Sequence, residues 1–168
     1  GYIVRIKPFM QKSVVKVLTG QRRVGKSFLL YQLIEEILAE EPDANIIYVN
    51  LEDFTFSSLQ TAEDLHSYII SHSKEKVKNY IFIDEIQDIP GFEKVIRSLL
   101  LNEDNDIYIT GSNAKMLSGE LATYLSGRYI EFKIYSLSYS EFLEFHGLTE
   151  SETSYELYSR YGGLPYLL

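Results

Sequence analysis

The sequence predicts an α/β domain in which a parallel sheet is covered by helices on both faces. Three observations carry that prediction. Short apolar segments of strand length alternate with segments whose apolar residues recur at helical spacing. The strand segments consist almost wholly of Ile, Val, Tyr and Phe, so they need cover on both faces. A glycine-bearing segment, Gly20-Gln21-Arg22-Arg23-Val24-Gly25-Lys26-Ser27, stands between the first strand and the first helix.

Val14 to Leu18 is the first strand, a β-branched run. Phe28 to Ala39 is the first helix. Asn45 to Leu51 is a nearly continuous apolar strand, and Leu59, Ala62, Leu65, Tyr68 and Ile69 mark one face of a helix from about Ser58 to Ser73. Tyr80 to Ile83 is a buried strand that runs into acid, and Phe92, Val95, Ile96, Leu99 and Leu100 give the next helix face. Ile107 to Ile109 and Tyr129 to Ile134 are the fourth and fifth strands, with a short helix around Glu120 to Leu125 between them. Ser138-Tyr139-Ser140-Glu141 has the hydroxyl and the acid of a capping box; it opens a helix through Phe142, Leu143 and Phe145 that stops at Gly147. A last helix runs from about Glu152 to Tyr161. The tail from Gly162 through Pro165 to Leu168 reads as a turn and the opening of an apolar helix, as though the sequence were truncated there. The expected units are a core over 1–135 and the start of a helical subdomain over 136–168.

Composition narrows the function classes. The 168 residues fit one domain with a sizeable core, and an apolar fraction of 45% is a globular value. Mean hydropathy is near zero, and no apolar run approaches the roughly 20 residues of a membrane span. A net charge of −8 argues against bulk electrostatic attraction to nucleic acid. Cysteine is absent, which excludes disulfides and thiolate metal sites; together with the lack of an apolar signal core, it points to a cytoplasmic setting. The three histidines show no metal-ligand spacing.

The glycine segment fits G-x-x-x-x-G-K-[ST] in the strand–loop–helix context that binds phosphate. Gly20 and Gly25 permit backbone angles and close approach that a Cβ would block. Gln21, Arg22, Arg23 and Val24 would turn successive N–H groups inward as an anion nest. The positive end of the helix that carries Phe28 lies behind it. Lys26 would reach the β- and γ-phosphates, and the Ser27 hydroxyl would complete a magnesium shell. At least one of Arg22 and Arg23 is expected to be a solvated charge.

Strand ends in a parallel sheet converge on one crevice. Asp84, the first polar residue off its strand, would hold Mg2+ through the ion's hydration shell. Glu85 would polarise an attacking water. For Gln87 and Asp88, which follow closely, loop polarity accounts for the residues at least as well as a role in the site. Ile109-Thr110-Gly111-Ser112-Asn113 ends in small polar groups that could reach a γ-phosphate or the water, with Ser112 the favoured candidate. Arg128 follows the short helix, where an arginine can reach a neighbouring subunit's γ-phosphate.

Taken together, the glycine segment, Ile83-Asp84-Glu85-Ile86-Gln87 and Thr110-Gly111-Ser112 resemble the AAA+-like, STAND-related ATPases of bacteria and archaea. In that family the ATPase core precedes a C-terminal domain of unknown function. Leu137 to Phe142 and Gly162 to Pro165 look like its later segments. The resemblance implies a P-loop NTPase three-layer sandwich with a five-stranded parallel sheet in the order 5-1-4-3-2. It implies ATP and Mg2+, with Asp84, Glu85, Ser112 and Arg128 in the Walker B, catalytic glutamate, sensor and arginine roles. It also implies a missing C-terminal domain and allows a homo-oligomer with the arginine acting in trans. No Asn-Lys-x-Asp guanine motif occurs, which favours ATP over GTP.

Three functions compete at this stage. One is a magnesium-dependent ATPase whose turnover rearranges an attached domain or partner. Another is a nucleotide-operated binding and signalling module with little turnover. The third, a small-molecule phosphotransferase, fits less well, because Arg97, Arg128 and Arg160 are scattered rather than gathered in a lid.

Overall fold

Alternate residues of β1 serve opposite faces of the sheet: Val15 and Val17 enter one apolar layer, Leu18 the other. The same division holds for β3, where Ile81 and Ile83 face one way and Tyr80 and Phe82 the other. This two-sided burial is why the strands read as apolar runs. The structure is a computed structural model that describes residues 1–112 and 123–164. Its strands are β1 (Val15–Thr19), β2 (Asn45–Asn50), β3 (Asn79–Asp84), β4 (Asn105–Gly111) and β5 (Tyr129–Lys133). They form one parallel sheet in the order β2-β3-β4-β1-β5, the predicted order read from the other edge.

Helices α1 (Tyr2–Ile6) and α2 (Lys26–Glu40) lie on one face, where Ile6, Leu29, Leu30, Leu33 and Ile37 pack on Leu18, Phe82, Tyr108 and Phe132. Helices α3 (Ala62–His72) and α4 (Phe92–Leu99) cover the other through Leu65, Ile69, Val95, Ile96 and Leu99. The chain then forms α5 (Tyr139–His146) and α6 (Glu152–Tyr161), held together by Phe142 and Tyr139 against Tyr158, with ring centroids 5.3 and 5.4 Å apart. The Leu137 N–H donates to the Gly163 carbonyl at 2.7 Å, closing the pair.

Several boundaries differ from the sequence expectations, each for a local reason. β1 extends to Thr19 because that residue still registers with Gly111 and Lys133. α2 starts at Lys26 because Gly25, at φ 97°, ends the loop and caps the helix directly. α3 starts at Ala62 instead of Ser58, since Thr61 and Asp64 form a capping box there. The box predicted at Ser138 and Glu141 is present. α1 had no signal in the sequence, being too short to show a period. The first half of the expected Glu120–Leu125 helix, residues 120–122, and the tail from Pro165 lie outside the described residues, while residues 123–125 are helical.

A charged pair is buried at the amino ends of the strands, remote from the glycine loop. Lys16 and Asp106 are both fully buried and ion-paired. Asp106 also accepts from the Tyr108 hydroxyl and from the Gln11 N–H, each at 2.8 Å. Lys16 donates to the Val14 carbonyl at 2.9 Å.

Candidate functional site

At the end of β1 the chain turns into the glycine segment against the exit of β5. The Ile134 N–H donates to the Thr19 carbonyl at 2.6 Å, and a Cβ on Gly20 would stand 2.4 Å from the Ile134 oxygen. Gly20 is therefore a close-approach glycine, while Gly25 satisfies a left-handed backbone. Leu29 makes the first helical bond back to Gly25, at 3.0 Å, so the amides of Lys26, Ser27 and Phe28 have no intrahelical acceptor. A cavity of about 360 Å3 opens over them. It is lined by Arg22, Arg23, Gly25, Lys26, Ser27 and Phe28, together with Glu52 and Glu85. Gly20, Gln21 and Val24 line a separate hollow behind the loop, beside Lys133 to Ser136.

Lys26 is 4% exposed although it carries a charge. Its ammonium donates to the Gly20 and Gln21 carbonyls at 3.1 and 2.9 Å and lies 3.3 Å from Glu85 Oε1. The other Glu85 oxygen accepts from Gln87 Nε2 at 2.5 Å. Glu85 follows β3 directly and has φ 57°, unusual for a residue with a Cβ. Asp84, buried at the end of β3, accepts from the Thr110 hydroxyl through Oδ1 and makes a long contact with the Tyr48 hydroxyl at 3.4 Å through Oδ2. Burial, followed by Tyr31 and the Asp84 carboxylate, pushes the Tyr48 phenol well above its ordinary range, so it stays a neutral donor.

The remaining candidates fall elsewhere. Ser112 is half-buried just past Gly111, the partner of Thr19 in the sheet, and does not line the cavity. Asn113 lies outside the described residues. Arg128 is exposed at the amino end of β5, where its carbonyl accepts from Val15 N at 3.0 Å, so it stands at the far end of the strands from the loop. Arg22 is a largely solvated charge that reaches Glu52 across the cavity mouth at 3.1 Å. Gln87 is no mere loop polarity, because it holds Glu85. Two participants were missed altogether. Glu52 lies beyond the end of β2, and its signal was an acid at another strand end. Thr110 lies inside the Ile109–Asn113 run, whose favoured candidate is Ser112.

The arrangement suits a polyphosphate. An ammonium, three helix-start amides and the Ser27 side chain line one cavity, and a buried carboxylate stands at the next strand end but one. Hydroxyl and carboxylate oxygens are also the donors that Mg2+ takes, with phosphate and water completing its shell.

Comparison with known proteins agrees with this geometry. A family model described as an AAA domain matches residues 12–143. An uncharacterized protein of Haemophilus influenzae is 41% identical over 176 residues; the match covers 98% of this chain and 43% of that protein. The chain thus spans less than half the length of that relative. Among solved structures, Saccharomyces cerevisiae Hsp104 in its complex with casein superposes with a TM-score of 0.64 at 17% identity, over 99% of this chain and 34% of that one. AMPPCP-bound DnaA from Aquifex aeolicus gives a TM-score of 0.57 at 12% identity, over 97% and 55%. At these identities the two structures speak for the fold.

Proposed function

This chain belongs to the AAA domain family, and from that premise we propose that it binds ATP with magnesium in the Lys26 cavity and hydrolyses it, driving rearrangement of an attached domain or partner. Nucleotide binding and hydrolysis in general accord with the family. The observation that carries the specific reading is the meeting of Lys26 and Glu85 at 3.3 Å beside the open amides of α2. A phosphate-binding cation and a carboxylate able to act on water thus meet in the lining of one cavity.

In the arrangement described, Lys26 is engaged by two loop carbonyls and by Glu85. A triphosphate offers Lys26 a denser negative charge than one carboxylate does, so the ammonium turns to phosphate and releases Glu85 Oε1. The freed oxygen accepts a proton from the attacking water as the water oxygen bonds to the γ-phosphorus, the bond from that phosphorus to the β–γ bridging oxygen breaks and ADP leaves, while Gln87 keeps the other oxygen oriented. Ser27 and Asp84 would hold magnesium, which, when bound, neutralises charge building on the β- and γ-phosphate oxygens. The bound nucleotide analogue in the DnaA structure, on the same fold, supports ATP as the ligand. The length of the Haemophilus relative beyond the matched part supports an attached domain. Arg128, at the other end of the strands, serves a neighbouring copy's cavity in a homo-oligomer, and Ser112 serves as the sensor beside the loop.

A thermal-shift titration tests the binding half. Mg-ATP at a hundred times its Kd should stabilise the chain by about 2.7 kcal/mol, and Lys26→Ala should lose the shift. If neither ATP nor ADP shifts the parent at millimolar concentration, the reading fails.

A further inference from the structure

We infer that Thr110 is a positioning residue for hydrolysis: its one hydroxyl sets the Asp84 carboxylate and the Glu85 backbone at the same time. The inference rests on the ATPase reading of this cavity. Thr110 is fully buried in β4, one step beyond the Ile83–Ile109 pair of the sheet. Its Oγ1 donates its proton to Asp84 Oδ1 and accepts the Glu85 N–H at 2.9 Å. A hydroxyl has one proton to give, and here that proton goes to the carboxylate while a lone pair takes the amide.

Both bonds have consequences at the site. The bond to Oδ1 fixes the plane of the Asp84 carboxylate and leaves Oδ2, with the Tyr48 hydroxyl 3.4 Å away, as the oxygen free to accept from metal-bound water. The bond from the Glu85 N–H holds a residue whose φ of 57° breaks the alternation of β3. A left-handed backbone at a residue with a Cβ persists only where its surroundings impose it. That turn is associated with the Glu85 side chain lying on Lys26 instead of continuing the strand. One hydroxyl therefore couples the metal-holding acid to the water-activating acid. Valine at 110 would match the shape of threonine but offer neither bond, leaving the buried Glu85 amide without its acceptor.

The test compares Thr110→Val and Thr110→Ser with the parent chain. It measures phosphate release against ATP and against Mg2+, and hydrogen exchange at the Glu85 amide. In Thr110→Val, kcat should fall and the Mg2+ needed for half-maximal rate should rise, each by about 10- to 100-fold, with KM for ATP at saturating Mg2+ held within about threefold. Thr110→Ser, which keeps the hydroxyl, should stay within about threefold of the parent on all three and retain the Glu85 amide protection that valine loses. Parent-like kcat and Mg2+ dependence in Thr110→Val would overturn the inference. So would equal damage in serine and valine, since that would assign the role to side-chain shape. If valine prevents folding, Thr110→Ala against Thr110→Ser makes the same comparison. A parent chain that releases no phosphate sinks the ATPase reading instead. In that case the Mg2+ dependence of ATP binding decides the inference, which fails if Thr110→Val needs no more Mg2+ for half-maximal ATP binding than the parent does.

Discussion

Glu85 stands in a backbone conformation that costs about 1–3 kcal/mol for a residue with a side chain, and that cost falls where a carboxylate meets the Lys26 ammonium. The loop glycines are constrained differently. Gly20 needs room, because its Cβ would press on the Ile134 carbonyl of the chain leaving β5. Gly20→Ala should therefore destabilise the chain by about 1–3 kcal/mol in a urea melt, and nucleotide binding should weaken with it as the loop shifts. A melt and a Kd both equal to the parent's would show that the loop tolerates the added carbon. Lys26, Asp84 and Glu85 were legible in the sequence because their spacing lies within single strand–loop segments. Thr110 was not, since its bonds cross between β4 and the end of β3, a register that spacing alone does not reveal. Glu52 is a different case: the implied strand order sets β2 beside β3, but the residue stands two positions past the end of β2, in a turn that no motif marks.

Among the elements, β1 carries the least expected residue, a lysine fully inside the sheet packing. Burial pulls the Lys16 ammonium below its ordinary pKa, with the Asp106 carboxylate opposing that shift. Lys16→Met would strand the Asp106 charge, and its cost should be about 3–5 kcal/mol by chemical denaturation. A loss under about 1 kcal/mol would mean that Tyr108 and Gln11 satisfy Asp106 unaided. α5 offers a pH-dependent case. The Ser138 N–H and hydroxyl hold Glu141 below the ordinary carboxylate range, so the folded form binds its proton more weakly than the unfolded form. That contribution is complete above the unfolded pKa and is lost as pH falls through the lowered folded value. Hydrogen exchange in α5 should accordingly speed up, relative to Glu141→Gln, as the solution is acidified through that window; parallel profiles would contradict it. The Ser138 box could be read in advance because its residues flank an apolar helix face. The Thr61 box was overlooked because Leu59 sits on the same apolar face and drew the helix start back to Ser58, although Leu59 packs from the turn preceding the helix.

Across the whole molecule, the loop and the C-terminal helices are physically connected. Thr19 and Gly20 touch Ile134, the chain continues to Leu137 bonded to Gly163, and Phe145 of α5 packs edge-on against Phe28 of α2 at 6.2 Å. Under the proposed function, a nucleotide that shifted the start of α2 would act on α5 through the Phe28–Phe145 contact. Arg128 is exposed about four residues of strand from the level of the loop, roughly 13 Å away along β1, so the arginine role proposed for it would have to be served on a second copy. Turnover per molecule should rise with protein concentration, and Arg128→Ala should flatten that rise; a parent rate independent of concentration would remove the trans role. The parallel order of the strands was legible through the family resemblance, whereas the contact of α5 with the loop helix was not, because aromatic residues at helical spacing do not say which neighbour they meet. The most direct measurement of the central claim is Mg-ATP binding together with phosphate release by this chain and by Glu85→Gln. Both should bind, and the variant should release phosphate about 100- to 10,000-fold more slowly. Equal release by the two proteins would contradict the role given to Glu85 and, with it, the proposed hydrolysis in this cavity.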